Sequence, residues 1–196
     1  GVMSNPAQGQ QAAVTPAFRM LRTLGGIAML SGFLVVLVFQ WTQPMIAENK
    51  RIAIEKAVFE VLPGATSRSD YVVHDNNIVP ATAEAPADGI ALYAGFGANG
   101  EFIGIAMEAA APGYQDVIRI LYGYNPGCEC LTGMKVLKMA ETPGLGDKIA
   151  FDPAFMENFD GLDARLNNNG DALANAIVTV KAGTKTEPWQ IDAISG

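Results

Sequence analysis

The sequence has few of the residues that enzymes commonly use for catalysis. Its 196 residues include one histidine, His74, and two cysteines, Cys128 and Cys130. His74 lies in a polar segment, and no serine or cysteine nucleophile motif accompanies it, so hydrolase chemistry is disfavoured. Two thiolates without a nearby histidine are too few for a structural zinc or iron–sulfur site, which takes four ligands. We therefore predict no catalytic residues, and a metal site at Cys128 and Cys130 is disfavoured.

Basic residues are also scarce. The chain has 13 Lys and Arg against 20 Asp and Glu, which gives a formal net charge of −7. A protein that binds nucleic acid irrespective of sequence needs a basic face to displace counterions, so this class is excluded. The glycine spacing fits neither a P-loop nor a dinucleotide fingerprint.

Charge is absent altogether from one long apolar stretch. No Asp, Glu, Lys or Arg occurs from Thr23 through Ala47, and Leu24 to Trp41 reads LGGIAMLSGFLVVLVFQW. About twenty helical residues reach roughly 30 Å, the hydrocarbon thickness of a bilayer. The stretch therefore predicts a transmembrane helix. The alternative is a cleaved signal peptide, against which stand its length, its bulky aromatic residues and the lack of a nearby small-x-small site.

The charges on either side of this stretch predict its orientation. Arg19 and Arg22 precede it, whereas all 20 acidic residues and 11 basic residues follow it, a net charge of −9. Positive charge marks the cytoplasmic side of a span. We expect a single-pass protein of a bacterial inner membrane, with a cytoplasmic N-terminus and its main domain in the periplasm.

The remainder predicts an α+β fold with an antiparallel sheet and flanking helices. A helix over 46–62 should end at Pro63-Gly64, and a hairpin should turn at 97–100. Strands are predicted over 71–73, 90–96, 101–108 and 133–139, with short helices near 153–160 and 171–176, while 115–121 fits helix or strand. The predicted organisation is a cytoplasmic tail (1–17), a transmembrane anchor (18–45) and an extracytoplasmic domain (46–196).

The cysteines form a C-x-C motif, Cys128-Glu129-Cys130. Two cysteines in an oxidising compartment usually pair, but a disulfide at this spacing closes a very small ring. One interpretation is a turn and strand that carry incidental cysteines. The other is a redox, metal or partner-linked role.

The most unusual local string runs from Glu141 to Lys148 and reads ETPGLGDK. Pro143 fixes one φ angle, and the two glycines allow positive φ and close backbone approach. The string is either a plain tight loop or a loop that presents backbone amides to a ligand.

This loop occurs together with other distinctive strings. In chain order they are NKRIAIEKAVFEVLPGA after the apolar stretch, APGYQDVIRILYGYNPG, MAETPGLGDKI and the terminal DAISG. This arrangement resembles RnfG (RsxG), the flavin-binding protein of Rnf-type electron-transport complexes, with NqrC of the sodium-pumping NADH:quinone reductase as a more distant relative. The resemblance extends from the apolar stretch to the last residue. It implies a periplasmic FMN-binding domain in which a phosphoester bond joins the flavin to a threonine.

The resemblance also implies which residues lie at the flavin. Leu145 is expected to pack on the flavin ring, and glycine backbones are expected to approach its polar edge. The implied cofactor-binding residues are Glu141, Thr142, Pro143, Gly144, Leu145, Gly146, Ser195 and Gly196, with Gly113 and Tyr114 as weaker candidates.

The attachment motif of the family has the form D-x-x-[S/T]-G-A-T. Asp192, Ser195 and Gly196 match its first five positions, where the sequence stops. We expect the flavin-bearing threonine just beyond Gly196, in a domain truncated at its C-terminus. Cys128 and Cys130 are not a feature of the family.

The resulting hypothesis is an electron-carrier subunit that is not catalytic alone. Its expected partners are the lipid bilayer and other membrane subunits of an Rnf-type complex, and nucleic acid is not among them. The alternative is a flavin-free structural, assembly or docking subunit with the same fold. The two residues encoded after Gly196 distinguish these hypotheses.

Overall fold

A computed structural model describes residues 16–82, 85–86 and 88–194. The chain divides into two compact units, 1–49 and 50–196. The longest element is helix α1, Ala17–Val61, which includes Pro44. Among the described residues, α1 is the one helix long and apolar enough to cross a membrane, and the mean hydropathy of its most apolar 18-residue window is 2.0. Most of the predicted tail, residues 1–15, lies outside the described residues.

The second unit is built on a seven-stranded antiparallel sheet in the order β2-β1-β3-β4-β5-β6-β7. Consecutive strands are mostly neighbours, so short turns suffice to connect them. Two further strands, β8 and β9, form a separate parallel pair. The strands are β1 Ser67–His74, β2 Asn77–Pro80, β3 Ile90–Phe96, β4 Phe102–Pro112, β5 Val117–Asn125, β6 Cys130–Lys138, β7 Leu162–Asp163, β8 Val178–Val180 and β9 Gln190–Asp192.

The predicted α+β class with an antiparallel sheet is confirmed. The hairpin at 97–100 joins β3 to β4, and Gly100 has the positive φ of +79° that its turn requires. The ambiguous segment 115–121 belongs to β5, and α1 ends at Val61 beside Pro63-Gly64, as predicted.

Helical structure after the sheet was only partly predicted. Two short helices, α2 (Lys148–Phe151) and α3 (Pro153–Met156), lead into a 3₁₀ turn at Glu157–Phe159. The helix predicted near 171–176 is wrong. Leu173 instead forms an isolated antiparallel bridge with Leu166, and the hydrogen bonds across the intervening turn leave this segment without helical pairing.

The last turn of α1 packs directly on glycines of the sheet. A Cβ at Gly95 would lie 2.7 Å from a Leu62 methyl, and one at Gly133 would lie 3.1 Å from the Cα of Val61. At Gly123 the clash is with backbone, because a Cβ would lie 2.1 Å from the Val61 carbonyl oxygen. Because these three glycines carry no side chains, the sheet has a groove that the end of the helix fills.

A polar contact fixes the same helix end. The last carbonyls of a helix have no partner within the helix. The Thr132 hydroxyl of β6 donates to the Val61 carbonyl oxygen at 2.5 Å, across 71 residues of sequence. Lys135, also on β6, pairs with Glu60 at 2.6 Å. The surrounding core consists of Ala57, Val58, Val61, Leu62, Tyr93, Ala106 and Leu121.

The opposite face of the sheet carries a second core. Met134 of β6 packs there with Phe159 and with Leu162 of β7, all three nearly inaccessible to solvent. Ile177 and Ile191, which flank or belong to the parallel pair, also pack on this cluster. The segment after β6 therefore folds back over the sheet and covers part of it.

Candidate functional site

Two loops that are distant in sequence meet beyond the ends of the sheet strands. The first, 113–116, connects β4 to β5, and the second, 141–147, follows β6. The Gln115 backbone N–H donates to Glu141 Oε1 at 3.2 Å, and the Gln115 side-chain amide donates to Thr142 Oγ1 at 2.7 Å. Gln115 thus joins the two loops that were predicted to form one site.

Glu141 fits between glycines of both loops. A Cβ at Gly113 would lie 2.3 Å from Glu141 Oε1, and one at Gly146 would lie 2.9 Å from the Glu141 Cβ. Any larger residue at either position would displace this half-buried side chain. The two glycines are therefore required by the close approach of the loops.

The tip of the second loop is a tight turn. The Leu145 backbone N–H donates to the Thr142 carbonyl at 3.1 Å, and Gly144 has a φ of +79°, which favours glycine. Asp147 holds the tip from the other side, because its Oδ1 accepts the Gly144 N–H at 2.7 Å. Helix α2 begins at the next residue, Lys148.

This arrangement leaves apolar side chains at the surface. Leu145 is 68% exposed at the tip of the second loop, and Tyr114 is 94% exposed on the first. Exposed apolar groups beside a pre-formed polar loop are typical of a ligand contact surface.

The first loop is also organised by a charge. The Asp116 carboxylate accepts the Val117 N–H at 2.7 Å and lies 3.6 Å from Lys138 Nζ. The hydrogen bond from Val117, followed by the charge of Lys138, holds the pKa of Asp116 below its usual range. Asp116 therefore stays ionised at neutral pH and anchors the turn.

The C-terminal segment is held by a buried amide. Asn158, which is 5% exposed, accepts the Asp192 backbone N–H at 2.9 Å and donates to the Asp192 carbonyl at 3.2 Å. The Asp192 side chain in turn accepts the backbone N–H groups of Thr184 and Lys185 at 3.2 and 3.0 Å. The predicted site residues that follow, Ser195 and Gly196, lie outside the described residues.

The structure thus brings together the predicted residues of two strings, Gly113-Tyr114 and 141–146. It adds residues that were not predicted for the site. Gln115 and Asp147 stand inside the two quoted strings, so the strings themselves were the signal. Nothing in the sequence around Asn158 indicated a buried clamp for β9.

The cysteines form a disulfide bond between Cys128 and Cys130. Cys128 lies in the turn between β5 and β6, and Cys130 begins β6, so the predicted turn followed by a strand is present. Glu129 between them has a φ of +51° and is the last residue of the turn 126–129 that connects the two strands. In this form neither sulfur is a thiolate, so the pair offers no ligand for the metal site considered from the sequence.

Comparison with known proteins identifies the type of domain that carries these loops. Residues 113–196, which include both loops and β9, match the family model described as the FMN-binding domain. The crystal structure of NqrC from Shewanella oneidensis superposes with a TM-score of 0.56 at 18% identity, over 76% of this chain and 85% of that one. The chain therefore has the fold of an FMN-binding domain protein, here with a helix long enough to cross a membrane.

Curated relatives specify the family further. The G subunit of the ion-translocating oxidoreductase complex of Shewanella piezotolerans is 33% identical over 71% of this chain and 66% of its own length. The protein of the same name from Methanosarcina acetivorans is 27% identical over 90% and 94%, respectively. The one from Pseudomonas aeruginosa is 33% identical over 70% of this chain, which spans 64% of that relative.

The chain belongs to the family of G subunits of ion-translocating oxidoreductase complexes. It spans slightly less than two thirds of the Shewanella and Pseudomonas relatives and nearly all of the Methanosarcina one. The candidate membrane helix and the family together indicate a single-pass membrane protein.

Proposed function

We propose that this chain is the FMN-bearing electron-carrier subunit of a membrane-bound, ion-translocating oxidoreductase complex. The observation that carries the proposal is the joined pair of loops, 113–116 and 141–147, within the region that matches the FMN-binding domain. FMN can take up and release electrons one at a time, and the protein positions the ring and tunes its potential.

The residues of the two loops suit a flat, partly apolar ligand with polar edges. Leu145 and Tyr114 offer exposed apolar surfaces to a ring. Gly144 leaves the backbone of the loop tip accessible to a ligand, because a Cβ there would face open space. Glu141 is oriented by the Gln115 N–H and is confined by Gly113 and Gly146, so the shape of the loop is set before the ligand binds.

We further propose covalent attachment of FMN through a phosphoester to a threonine encoded just after Gly196. Support comes from Asp192, Ser195 and Gly196, which match the first positions of the attachment motif. The clamp formed by Asn158 on Asp192 fixes the backbone three residues before Ser195. The domain would lie in the periplasm, because Arg19 and Arg22 precede the apolar stretch and the acidic residues follow it. Other subunits of the complex would be its electron donor and acceptor.

The test is in-gel flavin fluorescence of the denatured full-length gene product, expressed in cells that attach flavin to such proteins. We expect a fluorescent band at the mass of the polypeptide. A non-fluorescent band, or codons after Gly196 that do not encode Ala-Thr, would favour the flavin-free structural subunit instead.

A matched pair of variants tests the loop itself. Gly113→Val places a side chain against Glu141, whereas Gly127→Val has only the Asn125 side chain as a close neighbour. We expect Gly113→Val to lower the flavin fluorescence per polypeptide at least about threefold and Gly127→Val to leave it unchanged. Circular dichroism is used to check that both variants fold. Equal flavin content in both would contradict the placement of the flavin at this loop.

A further inference from the structure

The Cys128–Cys130 disulfide lies outside the loops assigned to the flavin. It stands at the β5–β6 turn, where Cys128 is exposed and Cys130 is half-buried. These two residues are the only cysteines of the chain.

This disulfide is poorly suited to a structural role. The stabilisation from a disulfide grows with the length of the loop that it closes, and this loop contains three residues. The turn is held in other ways as well. The Gly127 N–H donates to Asn125 Oδ1 at 2.7 Å, and the Ala164 N–H donates to the Glu129 carbonyl at 3.0 Å. The fold therefore gains little from the bond.

The disulfide lies at the surface, where Cys128 is exposed. Cys128 and Cys130 line a surface depression of about 390 Å³ together with Gly161, Asp163, Arg165 and Pro188. The Arg165 guanidinium is fixed there by two hydrogen bonds to the Asp163 carboxylate, at 2.8 and 2.9 Å. A partner thiol can thus approach the exposed residue Cys128 at a shallow surface that also carries the Asp163–Arg165 ion pair.

We propose that Cys128 and Cys130 form a thiol–disulfide exchange site that accepts two electrons from a protein dithiol. A thiolate of the partner attacks Cys128 Sγ, the bond between the two sulfurs breaks, and Cys130 leaves as a thiolate that takes up a proton. The second thiolate of the partner then attacks its own sulfur in the mixed disulfide and releases Cys128. One disulfide and one dithiol are consumed, and one dithiol and one disulfide are formed.

The spacing of the cysteines explains why the partner must be a dithiol. After the first attack, Cys130 remains two residues from the mixed disulfide and can attack Cys128 Sγ again. A monothiol is therefore expelled and the original disulfide forms again. A dithiol escapes this reversal because its second thiol completes the exchange within the same complex.

The experiment uses the full chain in detergent with dithiothreitol as the dithiol probe and glutathione as the monothiol. Samples are quenched with acid, alkylated with N-ethylmaleimide and analysed by mass spectrometry, while circular dichroism follows the fold. We expect reduction of the folded protein at a rate proportional to dithiothreitol concentration. At equal thiol concentration it should be at least about tenfold faster than with glutathione. A rate independent of dithiol concentration would overturn the proposal, because the bond would then open only through unfolding.

Variants separate exchange from a structural role. The double variant Cys128→Ser/Cys130→Ser should unfold within a few °C of the natural protein, and a large loss of thermal stability would instead identify a structural disulfide. In single variants treated with oxidised glutathione, Cys130→Ser should form the adduct on Cys128 at least about five times faster than Cys128→Ser forms it on Cys130. Equal or reversed rates would contradict the assignment of Cys128 as the attacked sulfur.

Discussion

Replacement of Gly123 by alanine tests how α1 is seated on the sheet. Gly123 is buried in β5, directly beneath the last turn of the helix. The added Cβ would lie 2.1 Å from the Val61 carbonyl oxygen, 2.7 Å from Thr132 Oγ1 and 2.8 Å from the Val61 carbonyl carbon. Two of these atoms are backbone, so no side-chain rotation relieves the clash.

The magnitude follows from the required movement. Ordinary van der Waals contact begins near 3.4 Å, so the helix end must retreat by more than 1 Å. Overpacking of this kind costs about 1–3 kcal/mol. The retreat also breaks the hydrogen bond from Thr132 to Val61, which is worth about 1 kcal/mol. We therefore expect Gly123→Ala to lower the free energy of unfolding by about 2–4 kcal/mol.

The assay is urea unfolding of the full chain in detergent, in a Trp41→Phe background that leaves Trp189 as the single tryptophan reporter. Gly127→Ala is the matched control, because its nearest neighbour is a movable side-chain atom of Asn125 at 3.0 Å. We expect a loss below about 1 kcal/mol for the control. If Gly123→Ala were as stable as Gly127→Ala, the close approach of Val61 to the sheet would be refuted.

Three further predictions concern other contacts. Thr132→Val should lower the free energy of unfolding in urea titrations by about 1–2 kcal/mol, because the Val61 carbonyl loses its donor. Thr132→Ser keeps the hydroxyl and should retain most of that stability, so equal losses in the two variants would argue against the hydrogen bond. Asn158→Ala should lower the free energy of unfolding by about 2–3 kcal/mol, because the backbone N–H and C=O of Asp192 lose their partners. Hydrogen exchange at the Asp192 amide should then accelerate, and an unchanged exchange rate would argue against the clamp. Burial, followed by the charge of Glu108, raises the pKa of Tyr93 above its ordinary value of 10.0. As pH rises, the unfolded chain therefore loses the Tyr93 proton before the folded chain does. Above pH 10 the free energy of unfolding should fall by up to about 1.4 kcal/mol per pH unit more steeply than in Tyr93→Phe. Equilibrium unfolding at several pH values measures this, and parallel pH profiles of the two proteins would contradict it.

Much of the fold could be predicted because its signals are local. The β3–β4 hairpin is marked by Gly97 and Gly100 between two apolar runs, and Pro63-Gly64 marks the end of α1. The segment 171–176 was misassigned because its composition suits a helix, whereas its structure depends on the pairing of Leu166 with Leu173 across a turn. Tertiary pairing overrides propensity in short segments.

The candidate site likewise has residues that the sequence indicates and contacts that only the folded chain shows. The strings at 113–114 and 141–146 were identified through resemblance, and the structure shows that Gln115 joins them. That contact links residues 26 and 27 positions apart, which no local pattern encodes. The role of Asn158 could not be predicted for the same reason, because its partner in β9 lies 34 residues away. Burial decides the role of such a polar side chain, and burial is a property of the folded chain.

The hydrogen bond between Thr132 and Val61 also has a consequence for synthesis. The ribosome completes α1 before any of the strands, yet the acceptor at the helix end meets its donor only after another 71 residues have been made. Gly95 of β3 can receive Leu62 earlier, but Val61 packs on Gly123 of β5 and Gly133 of β6, which are made later. The nascent chain therefore exposes part of this apolar helix end while the segment between α1 and β6 is synthesised. The contact of Val61 with the central strands can therefore form only after β6 has been made, which makes it a late event in folding of the second unit.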